Sequence, residues 1–336
     1  MRNRHTLIVD FLRTNGWDPE TSQALANDAS SRRYHRLHDG MRHAILMDAP
    51  PQKENIRSFT SIARHLGALG YAAPKIFAED LTNGLLLIED FGDQTYTNVL
   101  TQEPEREGML YALAVDVLID LHHRPITQIL PAGLQTYDEA LLSNELLLFP
   151  DWHLPAITGS PTKDSIRKSY LAAWRDSLKL LANEPPTLVL RDFHVDNLVW
   201  LRSRNGIEAC GLLDFQDAVM GPAAYDLMSL LEDARRDISS ELVNTMIDRY
   251  FNAFPDLNHD AFFTVFKILA AQRHAKVIGI FTRLSARDGK LTYLRHIPRV
   301  WKLLEESLKH PALTLVEKWF TSHVPKELRP NSAKDT

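Results

Sequence analysis

The sequence has little of several features that define other classes of protein. It contains one cysteine among 336 residues, so neither an intramolecular disulfide framework nor a multi-cysteine metal site can form. It has no excess of positive charge, with 38 Lys and Arg against 43 Asp and Glu, whereas nucleic-acid-binding domains are typically basic. No stretch approaches the roughly 20 consecutive apolar residues that a membrane-spanning helix needs.

The N-terminal segment also lacks the pattern of a secretory signal. The apolar run at residues 7–9 is interrupted by Asp10, and it is too short for the hydrophobic region of a signal peptide. A single cysteine fits a reducing compartment. We therefore expect a cytoplasmic protein whose partner is neither a nucleic acid nor a membrane. The sequence is compatible with a monomer and does not determine the oligomeric state.

The order of predicted elements indicates two lobes, since 336 residues exceed one typical core. The first part alternates helix and strand and predicts a small antiparallel sheet with one main packed helix. Its predicted helices cover residues 5–15 and 53–69, and its predicted strands cover residues 33–38, 43–48, 75–79 and 85–90. Turns at Asp39-Gly40 and Asn83-Gly84 join the strand pairs as hairpins.

After Phe91-Gly92, helical patterns dominate. Helices are predicted at residues 105–123, 137–149 and 163–182, and strand-like runs at residues 187–190, 198–202 and 207–213. We expect an N-terminal nucleotide-binding lobe over residues 1–92, a catalytic and substrate lobe over residues 93–325, and a loose tail over residues 326–336.

Three polar residues at strand ends carry the chemistry. Asp192 and Asn197 lie in one loop after an apolar run, and Asp214 follows the next run, 17 residues beyond Asn197. Phosphoryl transfer needs a carboxylate that accepts the proton of the attacking hydroxyl, and oxygen ligands that hold Mg²⁺ against a triphosphate. We predict Asp192 as the catalytic base, Asn197 and Asp214 as the metal ligands, and ATP with Mg²⁺ as cofactors.

These residues resemble the motifs of the aminoglycoside phosphotransferase and choline kinase branch of the protein-kinase-like fold. The family loop reads His-Gly-Asp-x-x-x-x-Asn, and here residues 190–197 read Leu-Arg-Asp-Phe-His-Val-Asp-Asn, with Arg191 in place of the glycine. Residues 213–215 and 221–227 resemble two further family elements. The resemblance implies a two-lobed α+β fold with ATP between a small β-rich lobe and a larger helical lobe.

A narrower resemblance is to the bacterial kinases that phosphorylate N-acetylmuramic acid and N-acetylglucosamine at C1 in peptidoglycan recycling. The matching segments are residues 28–34, 46–51, 87–92 and 137–152. This resemblance implies an amino-sugar substrate, and by analogy it makes Glu145 a substrate contact. Asp217 is also taken as a candidate substrate contact beside Asp192, although the residues alone leave both Asp196 and Asp217 open to a role as solvated loop carboxylates.

Two family features are missing from the first lobe. Residues 28–34 contain no glycine, and residues 43–48 contain no lysine, so the usual phosphate loop and strand lysine are absent from the sequence. We expect the phosphates to be covered by Ser30 and Ser31, with Arg32 or Arg33 supplying the positive charge, because a guanidinium binds phosphate well. The adenine is expected against Glu89, Asp90 and Phe91, through backbone groups.

Several alternatives remain open at this point. Arg235, Arg236 or Arg273 could pair with a lactyl carboxylate, and the sequence does not choose among them. A zinc site is rejected, because the histidine pairs lack a third ligand. The rival functions are a kinase acting on aminoglycosides or another small-molecule hydroxyl, and a nucleotide-binding pseudokinase, which the missing lysine and glycine loop would suit.

Overall fold

A computed structural model describes residues 3–25 and 32–330 of the chain. The chain forms two compact units, each made of two segments. Unit 1 comprises Met1–Gly133 and Leu190–Ala218, and unit 2 comprises Leu134–Val189 and Val219–Thr336. Across the described ranges, no helix is long and apolar enough to cross a membrane.

The helices differ widely in length, from single turns to 30 residues. They are α1 (Arg4–Thr14), α2 (Ile56–Ala68), α3 (Tyr96–Gln102), α4 (Glu107–His123), α5 (Ile126–Ile129), α6 (Glu139–Leu146), α7 (Leu154–Thr158), α8 (Asp164–Leu181), α9 (Ala224–Leu231), α10 (Ser240–Ala253), α11 (His259–Asp288), α12 (Ile297–Leu308) and α13 (Thr314–His323). The strands are β1 (Gln23–Ala24), β2 (Arg33–Asp39), β3 (Arg42–Asp48), β4 (Ile76–Asp80), β5 (Leu85–Ile88), β6 (Pro186–Val189), β7 (Leu198–Trp200), β8 (Cys210–Leu212) and β9 (Val219–Pro222).

Unit 1 is built on an antiparallel sheet with the strand order β1-β2-β3-β5-β4. Strand β5 is buried throughout, β3 is buried from Ala44 to Asp48, and α1 packs on one face through Phe11 and Leu12. The β4–β5 turn depends on Gly84, which has a φ of +68°, and a Cβ atom there would lie 2.0 Å from the Ala49 carbonyl oxygen. Any side chain at this position would therefore displace the end of β3.

The second segment of unit 1 is a short antiparallel ribbon of β7 and β8, with Leu198 opposite Leu212. Two backbone hydrogen bonds attach it to the rest of the unit: Leu212 N donates to Ala72 O at 2.8 Å, and Trp200 N donates to Gln94 O at 2.8 Å. Because both ends of the ribbon are anchored, the polar residues that flank it have fixed positions.

Unit 2 is mostly helical and is organised around α11, which is buried along much of its length. Its only described strands, β6 and β9, pair with each other, with Val189 opposite Val219. A wide turn of π-helix at Phe149–His153 crosses α11 closely, and a Cβ atom at Gly279 would lie 2.4 Å from the Leu148 backbone. A glycine is thus required where these two segments meet.

The predicted elements agree with the structure in the first lobe, and later the predicted helices 105–123 and 163–182 are present as α4 and α8. The two hairpins and the helices at residues 5–15 and 53–69 are present, with ends shifted by one to three residues. The predicted helix 137–149 is shorter, and the predicted strand 207–213 is half a 3₁₀ turn, Gly206–Ala209. Strands β1 and β9 were not predicted, since β1 has only two residues and β9 forms by pairing with β6, with Val189 opposite Val219.

The predicted lobe boundary near residue 92 does not coincide with the division into compact units. Residues 93–133 and 190–218 belong to unit 1, and hydrogen bonds join the ribbon to Ala72 and to Gln94. The described part of the predicted loose tail begins with a 3₁₀ turn, Lys326–Leu328, and Arg329 forms an ion pair with Glu305 at 2.9 Å. This part of the tail is therefore attached to unit 2.

Buried histidines should make the fold sensitive to acid. His153 is buried beside Phe149 and Trp301, its Nδ1 lies 2.9 Å from Thr282 Oγ1, and burial lowers its pKa to about 4. Since an unfolded histidine has a pKa near ~6.5, the stability that the neutral ring contributes is present above that pH and is lost as the pH falls towards 4. Burial also lowers the pKa of His122 and His274, to about 3.

We predict that His153→Gln reduces the loss of unfolding free energy between pH 6.5 and pH 4 by up to ~3 kcal/mol. Urea denaturation across this pH range measures the slope, which is independent of any constant cost of the substitution. The exposed His5→Gln is the matched control and should keep the wild-type slope. Equal slopes for His153→Gln and the wild type would contradict the prediction.

Candidate active site

The loop before β7 holds Asp192 through an unusual backbone turn. Asp192 N donates to Leu190 O at 2.9 Å, which closes a three-residue turn around Arg191, whose φ is +70°. A left-handed conformation costs a residue with a side chain about 1 kcal/mol or more, and glycine adopts it freely. Arg191 adopts this conformation at a cost, at the position where the family loop reads glycine.

Asn197 is oriented by its own loop. Its Nδ2 donates to the Asp192 carbonyl oxygen at 3.0 Å and lies 3.3 Å from His194 Nε2. A carbonyl oxygen accepts and never donates, so the amide nitrogen must be on this side and the amide oxygen Oδ1 on the other. The Asn197 carbonyl oxygen accepts from Leu213 N at 2.9 Å, which joins this loop to the residue before Asp214.

Asp214 adopts the second left-handed backbone among the non-glycine residues described, with a φ of +57°. Its Oδ1 accepts from Gln216 Nε2 at 3.0 Å and from Arg32 Nη2 at 3.3 Å. Although 40% of the side chain is open to solvent, burial of the rest and then the charge of Asp192 raise the pKa of Asp214, while Arg32 opposes both effects. Asp192 and Asp214 are thus close neighbours of like charge.

Unit 1 therefore brings together the oxygen-bearing side chains that the sequence singled out. Two carboxylates and one carboxamide oxygen at one edge of a ribbon suit a hard divalent cation, which prefers oxygen ligands and offsets the repulsion between carboxylates. Among the described residues, no group of three or more His, Cys, Asp or Glu side chains forms a complete metal site. A cation held by Asp214 and Asn197 would accordingly take its remaining ligands from water and a bound phosphate.

The two candidate arginines differ in their surroundings. Arg32 Nε lies 3.7 Å from Glu54 Oε2, and its Nη2 contacts Asp214, so its guanidinium lies beside the candidate metal ligand. Arg33 is exposed and lies opposite Asp48 in the sheet. Ser30 and Ser31, the other predicted phosphate contacts, lie outside the described residues.

The segment after β5 forms a tied connection within unit 1. Glu89 N donates to Lys75 O at 2.8 Å, and its carboxylate pairs with Arg204 at 2.5 Å. Arg36 pairs with Asp90 at 2.7 Å, and Arg204 also covers the ring of Phe91. The carboxylates of Glu89 and Asp90 are thus engaged in ion pairs.

The two ambiguous loop carboxylates have different surroundings. Asp196 Oδ1 accepts a hydrogen bond from Thr97 Oγ1 in α3, so Asp196 braces the loop. Asp217 is exposed, its carbonyl oxygen accepts from Arg191 Nη1 at 3.3 Å, and Gln216 Nε2 lies 3.4 Å from its carboxylate. Asp217 therefore stays a predicted substrate contact near Asp214.

Glu145 belongs to unit 2 and is buried there, in contrast to a surface charge on an amphipathic helix. Its Oε2 accepts from Tyr137 Oη at 2.5 Å and from Gln272 Nε2 at 3.0 Å, and it lies 3.3 Å from Lys276 Nζ. Lys276 also donates to Tyr225 Oη at 3.1 Å. We call these five residues the Glu145 network.

Sequence reasoning missed most of the Glu145 network. Tyr137 and Tyr225 lie within segments that carried the family resemblance, so they could have been found there. Gln272 and Lys276 lie in α11, more than 125 residues after Glu145, and no local pattern marks them. Glu54, the partner of Arg32, was also missed, because no local pattern marks it.

An antiparallel sheet followed by a loop and ribbon that gather an aspartate, an asparagine and a second aspartate defines a protein-kinase-like phosphotransferase. Comparison with known proteins agrees with this class. The model of the phosphotransferase enzyme family matches residues 21–262. The chain belongs to this family.

Relatives and solved structures extend the comparison. A protein of Caulobacter vibrioides named N-acetylmuramate/N-acetylglucosamine kinase is 34% identical, covering 97% of this chain and 98% of its own. A Pseudomonas aeruginosa protein of the same name is 37% identical, covering 84% and 82%. The fold is similar to that of a choline kinase from Streptococcus pneumoniae, with a TM-score of 0.62 at 12% identity, covering 90% of this chain and 99% of that one. It is also similar to a spectinomycin phosphotransferase in complex with ADP and its antibiotic, with a TM-score of 0.57 at 15% identity over 95% and 98% of the two chains.

We predict that Glu145→Gln destabilises the protein by about 3 kcal/mol, because it leaves the buried ammonium of Lys276 without its carboxylate. Urea denaturation followed by circular dichroism measures the change. The control is Asp151→Asn, which removes a carboxylate from a half-exposed pair with Arg167 at 2.7 Å and should cost less than about 1 kcal/mol. If both variants lose the same small amount, the Glu145 network does not stabilise the unit.

Proposed function

We propose that the protein is an ATP- and Mg²⁺-dependent kinase that phosphorylates the anomeric hydroxyl of N-acetylmuramic acid and N-acetylglucosamine, in peptidoglycan recycling. The observation that carries the reaction type is the convergence of Asp192, Asn197 and Asp214 in unit 1. The acceptor is supported by four relatives of 33–37% identity over most of the chain, which share one kinase name.

In this proposal each residue of the site has one role. The Asp192 carboxylate accepts the proton of the attacking hydroxyl, and the turn around Arg191 fixes its backbone. Asp214 and the Oδ1 of Asn197 hold Mg²⁺, which supplies positive charge against the negative charge of the phosphates. An anomeric hydroxyl is more acidic than other sugar hydroxyls, so a carboxylate is a sufficient base.

Arg32 takes the part of the missing strand lysine. In protein kinases that lysine pairs with a glutamate of the following helix and reaches the phosphates. Arg32 has the corresponding surroundings: Glu54 precedes α2, and Asp214 is the candidate metal ligand. Its guanidinium can donate two parallel hydrogen bonds to a phosphate. Ser30 and Ser31 are proposed to cover the phosphates, and the backbone of residues 89–91 to bind the adenine.

The first experiment tests the reaction and its acceptor. We expect Mg²⁺-dependent release of ADP with N-acetylmuramic acid or N-acetylglucosamine, and a product without a reducing end, since phosphorylation at the anomeric oxygen removes it. Asp192→Asn should lower kcat at least ~100-fold, because the base is lost. The exposed Asp248→Asn, which removes the same charge from α10, should keep wild-type turnover.

Other outcomes distinguish the rival functions. Release of ADP with kanamycin and with neither sugar would indicate an aminoglycoside kinase. Binding of ATP without turnover on any of these acceptors would indicate a pseudokinase. A phosphorylated sugar that still reacts as a reducing sugar would show that another hydroxyl is the acceptor.

The second experiment separates the two arginines. Arg32→Ala should raise KM for ATP and lower kcat, with kcat/KM falling ~100-fold, because a charge-assisted contact to phosphate is lost. Arg33→Ala should change kcat/KM less than about threefold, since its side chain is exposed on the sheet. Arg64→Ala, which breaks an exposed pair with Glu79, is the control for loss of a surface arginine in the same unit. The reverse order of effects would assign the phosphate contact to Arg33.

A further inference from the structure

The carboxylate of Asp214, the candidate metal ligand in unit 1, has its two oxygens in different surroundings. Oδ1 accepts hydrogen bonds from Gln216 Nε2 at 3.0 Å and from Arg32 Nη2 at 3.3 Å. Oδ2 accepts none from the residues that the structure describes, and 40% of the side chain is open to solvent. The two donors on Oδ1 therefore leave Oδ2 as the oxygen available to a cation.

Gln216 has an amide group whose orientation is determined by its neighbours. Its Nε2 lies 3.0 Å from Asp214 Oδ1 and 3.4 Å from Asp217 Oδ2, and ionised carboxylates only accept hydrogen bonds. The amide oxygen Oε1 is buried and has no hydrogen-bond partner within the described ranges. Reversing the amide would place Oε1 against a negatively charged oxygen, so Gln216 acts here as a donor.

The chain between these two residues is anchored by Phe215. Its ring is buried and stacks on Phe59 of α2, with the ring centroids 5.1 Å apart. Ala218 N donates to Phe215 O at 3.0 Å, which closes a turn directly after Gln216. Asp214 and Gln216 thus flank a residue that is fixed to α2, and this holds the donor beside the carboxylate.

The two donors to Oδ1 differ in charge. Arg32 is the proposed phosphate contact, and its positive charge opposes that of a cation held by Asp214. Gln216 is neutral, so it orients the carboxylate without reducing the negative charge that attracts the cation. Carboxylates that bind metals are commonly held by such outer hydrogen bonds, and their loss typically costs about 10- to 100-fold in metal affinity.

We propose that Gln216 is a positioning residue for the metal site: its amide nitrogen holds Oδ1 of Asp214 and so presents Oδ2 to Mg²⁺. The inference rests on the proposed function, since that proposal places Mg²⁺ at Asp214 and Asn197. Gln216 acts on Mg²⁺ only through Asp214. Where the guanidinium of Arg32 donates to a phosphate, Gln216 is the donor that remains on Oδ1.

The test is the dissociation constant of Mn²⁺, which suits the same oxygen ligands as Mg²⁺, from the complex of the protein with ADP. Electron paramagnetic resonance measures free Mn²⁺ with the protein in excess over ADP. Gln216→Met keeps the length of the side chain and removes the donor, so the dissociation constant should rise about tenfold. The affinity for ADP in EDTA should change less than about threefold, because no metal is bound there. The exposed Gln102→Met is the matched control and should keep both wild-type values.

Turnover provides a second readout of the same variant. The Mg²⁺ concentration that gives half-maximal turnover should rise about tenfold in Gln216→Met. The value of kcat at saturating Mg²⁺ should fall less than about threefold, because Asp192, Asn197 and Asp214 are all retained.

A double-mutant comparison separates positioning from direct binding of the metal. In the Asp214→Ala background there is no carboxylate to hold, so adding Gln216→Met should change the Mn²⁺ dissociation constant less than about twofold. A further rise of about tenfold in that background would show that Gln216 binds the metal itself, and the positioning role would be wrong.

Equal Mn²⁺ dissociation constants for Gln216→Met and the wild type would overturn the proposal. So would a matching loss of ADP binding in EDTA together with a lower melting temperature, since that pattern indicates a purely structural role. If the wild type phosphorylates neither sugar, the proposed acceptor fails, and the Mn²⁺ measurement still tests Gln216 because it needs only ADP. If the wild-type complex binds Mn²⁺ no more tightly than ADP alone does, the positioning role is overturned together with the metal site.

Discussion

Two carboxylates held close together are the constraint on which the candidate site depends. Burial and then the charge of Asp192 raise the pKa of Asp214, so the two carboxylates repel each other, and backbone hydrogen bonds of Asp192 and of Leu213 hold the loops that carry them. The ribbon of β7 and β8 keeps them together, because Leu213 N bonds Asn197 O one residue before Asp214. Because these two carboxylates repel each other, the position beside them attracts a cation strongly.

In unit 2, by contrast, buried charges of opposite sign are paired with each other. Glu145 and Glu232 are each paired with a lysine of α11, so most of the buried charge is compensated by residues of the same unit. Paired buried charges contribute little net stability but fix the positions of the groups that form them.

The sequence predicts those parts of the fold and of the site whose interactions are local in the chain. The hairpin at Asp39-Gly40 and the spacing of Asp192, Asn197 and Asp214 are encoded within short segments, so both could be predicted. The burial of Glu145 could not, because two of its partners come from α11, far along the chain. Nor could the sequence show that the guanidinium of Arg32, just before β2, lies beside Asp214, because Asp214 is 182 residues further along the chain.

The departures from the family pattern argue for a working site rather than a degenerate one. Arg191 replaces a glycine and still adopts the left-handed turn, and Asp214 adopts a second one, each at a cost of about 1 kcal/mol or more. Arg32 lies beside Asp214 although the strand lysine is missing. Strained backbone of this kind clusters at functional sites, where the surrounding structure holds it in place. The strain at Arg191 and Asp214 therefore agrees with the role proposed for this loop.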